Sequence, residues 1–518
     1  MKGLRFTASW LELVFMAAMG ASTPGAFAAS GERLAPTGCD RPLLPGTDAA
    51  GDMVSARTSN AIPATRAGYV LPPDTALAAF PAKPETDPQH VYTLAELIDL
   101  AHSTNPRAKI AWYETQTAAL AEGLVGKAYA PKLSVTAGTG ATASRSDLAV
   151  IGSRSDQEGE GVGAVVTLSL EWLLFDFGVR NALLKAAHQE SIIANIALTA
   201  AHQQLIHRVA LAFYDDVTAR ARSGNADQAV ALAMKVQASS EARLGQGIGS
   251  AVEAAQARQA TAQLHLAAVQ ASGAVADARV RLLTAIGLPP FIRLRIANAV
   301  DRKFTPQMAD MAEEAVTAAL SRRPDMLAAL AARRASEEGV RAARAEFLPK
   351  VFAFGSATHF EGNRNIAGLP GIAGESPTFN LSGSRSNVTL LLGIRIPLFD
   401  GGTRRARLDQ ARYRAEATAA KLEETRDLAV LEIVAAENGL RSAIEATVAA
   451  EQSRAAAQIS VDAALAAWRN GVGSMTDVNL AELQLLAASN VGTDAKSAAL
   501  RAAATLALAT GALGGAPD

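Results

Sequence analysis

Along Leu168–Leu174 apolar and polar side chains alternate, with Leu168, Leu170, Trp172 and Leu174 on one face and Ser169 and Glu171 on the other. A period of two is that of a β-strand with one apolar side. After Phe175-Asp176 the period becomes helical, and no proline interrupts it before Pro289. Asp176 is placed to cap the new helix. The same succession returns near the C-terminus, where Val388, Leu390, Leu392, Ile394, Ile396 and Leu398 alternate up to Phe399-Asp400 and a second long helical pattern follows. A strand-to-helix corner is used twice.

From Thr93 onwards the whole chain is a tandem repeat. Asn105-Pro106-Arg107 and Ala130-Pro131-Lys132 come back as Arg323-Pro324-Asp325 and Leu348-Pro349-Lys350, both prolines 218 residues on. Beyond the first strands the offset is 224, relating Phe175 to Phe399, Gly247 to Gly471 and Gly287 to Gly511. The change falls between paired strands, so Arg145–Glu160 and the longer glycine-rich segment after Phe360 read as exposed loops. Each repeat is predicted as helix, strand, loop, strand, long helix, tight turn and helix.

The first helices break and resume at Pro106 and Pro324, and their second pieces run 24 residues to Tyr129 and Phe347. The long helices are expected over Asp176–Ala242 and Asp400–Ala466, 67 residues each, and the returning helices over Ala251–Ile286 and Met475–Thr510, 36 each. At ~1.5 Å per residue a long helix spans about 100 Å. A first helix and a returning helix laid end to end nearly match it, which describes a wall of constant height. Strands are expected over Leu133–Thr142, Val162–Leu174, Val351–Phe360 and Val388–Leu398. Their length of about ten residues suits a membrane-spanning strand, and the equivalent Glu171 and Arg395 should face away from lipid or sit at the rim.

Composition narrows the class. Among 518 residues only one is cysteine, and the formal net charge is −1, which excludes a disulfide framework and gives no nucleic-acid footprint. Lys2 and Arg5, the apolar run Trp10–Met19 and Ala26-Phe27-Ala28 mark residues 1–28 as a secretory signal. Residues 29–92 form a proline-rich lead-in, in which Cys39 follows Pro36-Thr37-Gly38 and reads as unmodified rather than lipidated. The two repeats occupy 93–290 and 312–513. No later apolar run reaches the ~18 residues of a membrane helix, so any span is built of strands. Four strands cannot close a barrel, so copies must combine, two giving eight strands and three giving twelve.

Other motifs have bland explanations. Gly245-x-Gly247-x-Gly249 follows a helix rather than a strand and is echoed by Gly471-x-Gly473, so it is a helix-hairpin turn and not a phosphate loop. His202 and His207 lie five apart, off the spacing of two helical ligands. No catalytic, cofactor or metal site is assigned.

The order and duplication of the elements carry a resemblance, together with Phe-Asp-Phe-Gly-Val-Arg at 175–180, Phe-Asp-Gly-Gly-Thr-Arg at 399–404, Tyr-Ala-Pro-Lys-Leu at 129–133 and Phe-Leu-Pro-Lys-Val at 347–351. Over about Thr93–Leu513 the chain resembles the TolC family of outer-membrane efflux proteins. The resemblance implies an α+β fold in which a homotrimer closes a twelve-stranded barrel among outer-membrane lipids, continuous with a long periplasmic α-helical barrel. It implies a passive exit duct of a tripartite efflux or type I secretion system, served by a periplasmic adaptor and an inner-membrane pump of the RND, ABC or MFS type. The alternative class, an exported coiled-coil scaffold without channel activity, has no use for two strand hairpins at matched positions.

By the same resemblance the hairpin turns around Gly247, Gly249, Ser250, Gly471, Gly473 and Ser474 are the tips that meet the adaptor. The equivalent acids Glu253 and Asp477 begin the next helices. Asp477 matches an acidic position of the family's constriction, Trp468 matches its usual tyrosine, and the second family aspartate falls on Leu480. In a trimer Glu253 and Asp477 would ring a periplasmic gate, with Arg243 and Arg469 restraining the tips. Both acids also suit a helix first turn in their own right.

Overall fold

The computed structural model describes residues 86–150, 153–298, 313–367 and 379–513, all within one compact unit, 83–518. The expected signal sequence, nearly all of the proline-rich lead-in and Cys39 lie outside the described residues. In chain order come β1 (Val91–Tyr92), α1 (Leu94–Thr104), α2 (Pro106–Gly126), a single 3₁₀ turn Lys127–Tyr129, β2 (Lys132–Val150), β3 (Ser153–Phe175), α3 (Val179–Gly245) and α4 (Ala251–Ile286). The second half continues with β4 (Arg295–Ile296), α5 (Glu313–Arg322), α6 (Pro324–Ala345), β5 (Lys350–Ala367), β6 (Phe379–Arg395), α7 (Thr403–Arg469) and α8 (Met475–Ala509). No described helix is long and apolar enough to cross a membrane.

Local chemistry sets the breaks. Thr93 and Glu96 form a reciprocal capping box at the start of α1, and the Asn105 side chain accepts from the Arg107 N–H at 2.9 Å to open α2 at Pro106. The long helices are 67 residues, as expected, but each starts three residues late. Asp176 is not the N-cap. Its Oδ1 accepts from the Gly178 N–H, and its Oδ2 from the N–H and Nε of Arg180, both at 3.0 Å. The N-cap is Gly178, whose φ of +102° turns the chain from strand into helix, and Gly402 does the same with φ +87°. The Arg180 guanidinium, lying 4.4 Å from the Tyr129 ring, donates to the carbonyls of Leu173, Leu174 and Ala128 and so ties the strand end to the helix start. Arg404 repeats the device with Asp400 and the Pro397 carbonyl.

Four strands make one antiparallel sheet in the order β2-β3-β5-β6, with β2 and β6 unpaired on their outer sides among the described residues. The register opens with Lys132 opposite Glu171 and Lys350 opposite Arg395, so the equivalent charged residues sit at the helix-proximal rim of the sheet. At 19, 23, 18 and 17 residues the strands are much longer than the apolar alternation implied. Arg145–Glu160 is not a loop: the ladder continues to Val150 opposite Ser153. Main-chain pairing needs no alternating side chains, so polar and glycine-rich segments extend the hairpins without a sequence signal. The last strand stops at Arg395 rather than Leu398, because Pro397 has no N–H to donate to a ladder.

The helices form the expected wall. α3 packs against α2 and α4 and against α6 and α8, while α7 packs on α6 and α8. The short helices abut end to end. Gly287, with φ +93°, sits so close to Asn105 that a Cβ would fall 2.8 Å from its Cα, and Asn105 Nδ2 donates to the Ala285 carbonyl at 2.8 Å. At the other junction Arg323 Nη1 donates to the Ala509 carbonyl at 2.7 Å. Ion pairs of Arg222 with Asp494 and of Arg501 with Asp215 tie α3 to α8.

Candidate functional site

The two hairpin tips lie at the end of the wall opposite the sheet, and their backbones are copies of each other. Gly247 and Gly471 adopt φ of +74° and +77°. The N–H groups of Ile248 and Gly249 both donate to the Arg243 carbonyl, as those of Val472 and Gly473 do to the Ala467 carbonyl. These bonds satisfy helix-end carbonyls in the manner of a Schellman turn. Gly249 and Gly473 are required for space: a Cβ would stand 3.0 Å from Arg243 Cβ or 2.9 Å from Ala467 Cβ. Ser250 and Ser474 then cap the returning helices, accepting from the N–H of Glu253 at 3.1 Å and of Asp477 at 3.2 Å.

The expected gate residues fall in three different environments. Asp477 is exposed and closes a capping box, its Oδ2 accepting from Ser474 Oγ at 2.7 Å and from the Ser474 N–H at 3.2 Å. Those bonds, the hydroxyl foremost, hold its carboxyl below the usual aspartate range. Glu253 is half-buried and does not reach back to its cap, leaving Oε2 buried without a partner. The first turns of α4 and α8 are nevertheless neighbours, since Gln256 Nε2 reaches Thr476 Oγ1 at 3.4 Å and Asn479 Nδ2 donates to the Gln256 carbonyl at 3.3 Å.

Trp468 is only 3% exposed and belongs to an apolar cluster with Val236, Ala257, Val461, Leu465, Met475, Val478 and Ala481, so within this chain it lies inside the wall. Arg243 crosses from the first hairpin to the second and stands 5.3 Å from the centre of the Trp468 ring. That cation–π contact joins the two tips. Arg469 is exposed, and so is Leu480.

Sequence reading missed a polar centre halfway along the wall. Asp216, fully buried, accepts from Arg220 Nε at 2.9 Å and from Arg279 Nε at 2.8 Å. The two guanidiniums also hold the carbonyls of Leu294, Ile296 and Ala297, in the segment where β4 pairs parallel with β1. In the second repeat the equivalent positions are Leu440, Ile444 and Ala503, within or against an apolar cluster. That contrast between repeats was the available signal. The histidines are not gathered into a site: His202 pairs with the His102 ring at 5.1 Å, and His207 Nε2 meets Thr505 Oγ1 at 3.2 Å.

A long two-hairpin helical wall, continuous with an open-edged sheet whose outer alternation is apolar, defines a subunit of an outer-membrane channel. A family model described as outer membrane efflux protein matches residues 97–288 and 315–512, and the chain belongs to that family. It is 29% identical over 378 residues to Protein CyaE of Bordetella pertussis, covering 73% of this chain and 74% of that protein. Among solved structures it is similar to CusC, with a TM-score of 0.65 and 21% identity over 81% of this chain and 92% of that one. It is also similar to VceC of Vibrio cholerae (0.62, 20%, over 81% and 96%) and to the open-state MtrE channel of Neisseria gonorrhoeae (0.60, 20%, over 81% and 88%). The chain thus has the fold of the trimeric channels that join a β-barrel to a helical barrel. It is an outer-membrane protein with a periplasmic helical extension, and its relatives are channels rather than enzymes.

Proposed function

We propose that three copies of this chain form the exit duct of a tripartite efflux or type I secretion system, passing substrate from an inner-membrane pump and periplasmic adaptor to the exterior. The four-stranded sheet with two open edges carries this reading, because such edges in lipid demand closure by further copies. Each repeat, 93–290 and 312–513, contributes one strand hairpin to the barrel and one helical hairpin to the tunnel. A deletion strain complemented with the gene should regain tolerance to some of a panel of toxic compounds, or regain release of a polypeptide into the medium. Failure on both counts by a correctly localised protein would contradict the duct.

The tips are read as the adaptor-docking end, with Ile248 and Val472 exposed at their apices. Glu253 and Asp477 are read as acids of the periplasmic entrance, held closed in part by Arg243 on Trp468. In planar bilayers Glu253→Gln with Asp477→Asn should lower cation selectivity and relieve block by divalent cations at unchanged trimer yield. Unchanged selectivity would leave both acids as first-turn residues of their helices.

A further inference from the structure

Of the nine buried side-chain polar atoms without a hydrogen-bond partner among the described residues, seven lie near the tips, on Ser240, Arg243, Glu253, Trp468, Asn479 and Glu482. Glu482 holds two of them. It is 2% exposed, and neither carboxyl oxygen has a partner. Its neighbours Val478 and Ala481 belong to the apolar cluster that α8 shares with Val236 of α3, Ala257 of α4 and Val461 and Leu465 of α7. An ionised carboxylate in such a seam loses its hydration with nothing in return.

The charged groups that the surrounding helices carry near this level are otherwise engaged or exposed. On α3, Glu241 is paired with Arg258 of α4, Arg243 lies over Trp468, and Lys235 is exposed. On α4, Glu253 makes no bond to Glu482; on α7, Asp462 accepts from Gln458 and Arg469 is exposed; on α8 itself, Asp477 is bound to Ser474. None compensates Glu482, and burial alone pushes its carboxyl from the ordinary 4.5 up to about 7.

We propose that Glu482 is a proton-operated switch in the seam of the second hairpin: protonated it lets the root of α8 pack shut, and on releasing its proton to water the carboxylate is rehydrated only when the seam loosens. The switch rests on the duct reading, in which loosening at this end widens the periplasmic entrance. The sign follows from the raised acid. Packing is fully favoured below the ordinary glutamate range, weakens as pH climbs from there to about 7, and is weakest above it. Over that window the balance between packed and loosened seams shifts by up to about tenfold per pH unit.

The test uses the full trimer in lipid. Amide hydrogen exchange over residues 475–486, corrected for the intrinsic pH effect, is compared at about pH 5.5 and about pH 8, alongside channel openings in planar bilayers. Wild-type protection should fall at least about tenfold at the higher pH and openings should increase, while Glu482→Gln should keep low-pH behaviour at both. Wild-type exchange that does not change, or a glutamine variant that responds as the wild type does, would overturn the switch. Because the first of these needs no variant, a misassembling Glu482→Gln would not protect the idea. A conducting trimer with pH-independent exchange sinks the switch and keeps the duct, whereas pH-dependent exchange in a non-conducting trimer sinks the duct and keeps the switch.

Discussion

Asp216 shows how a single residue organises the middle of the wall. Two guanidiniums converge on its carboxylate and use their remaining donors on the backbone that links the repeats. Removing the acid leaves two positive charges, each about a quarter exposed, facing each other without the buried counter-charge they share. Asp216→Ala should therefore destabilise by about 3–5 kcal/mol, seen as a lower trimer melting temperature and as protease cleavage near Leu294–Asn298, whereas Asp215→Ala should be mild. Equal effects of the two changes would contradict the assignment. Little of this was legible in the sequence. Asp215-Asp216 reads as ordinary helical polarity, and the second arginine is 63 residues away, across a hairpin whose register sequence does not fix. At the tips Glu253 and Asp477 were legible as first-turn acids, whereas the capping box that only Asp477 closes with Ser474 was not. Asp176 failed because a carboxylate two residues before the cap can bind the same N–H groups while glycine supplies the turn.

At the scale of elements, repetition made lengths readable where boundaries were not. The 67-residue helices, both proline breaks and both returning helices follow from patterns seen twice. The strands were underestimated because alternation marks only the segment with one apolar face; the paired backbone beyond it is silent. Tip geometry makes a sharper demand than the glycine pattern did. Gly471 needs its positive φ, whereas Gly473 needs the space beside Ala467. Gly473→Ala and Gly471→Val should each cost about 1–3 kcal/mol locally and abolish export, with trimers still recovered from the outer membrane. Loss of the trimer in both variants would mean the tips serve assembly rather than docking.

The whole molecule is organised by its unfinished sheet. Leu390 is 80% exposed in the single chain, as are its alternate neighbours Val388 and Leu392 to similar extent, an apolar row of the kind that a lipid-embedded barrel presents outward. A charge there faces hydrocarbon, at roughly 2–4 kcal/mol near the midplane, while one residue along it faces the other side. Leu390→Lys should impair assembly in the outer membrane more than Thr389→Lys, and equal tolerance would sink the assignment. The central claim is closure by three copies, through β6 of one chain against β2 of the next. It is tested most directly by one cysteine placed in β2 and one in β6, in a background with Cys39 replaced, at several registers, followed by oxidation in the membrane and denaturing electrophoresis. The expected result is a covalent ladder at the matching register that stops at three chains. No cross-link at any register, or a ladder that ends at two chains or runs past three, would contradict the account.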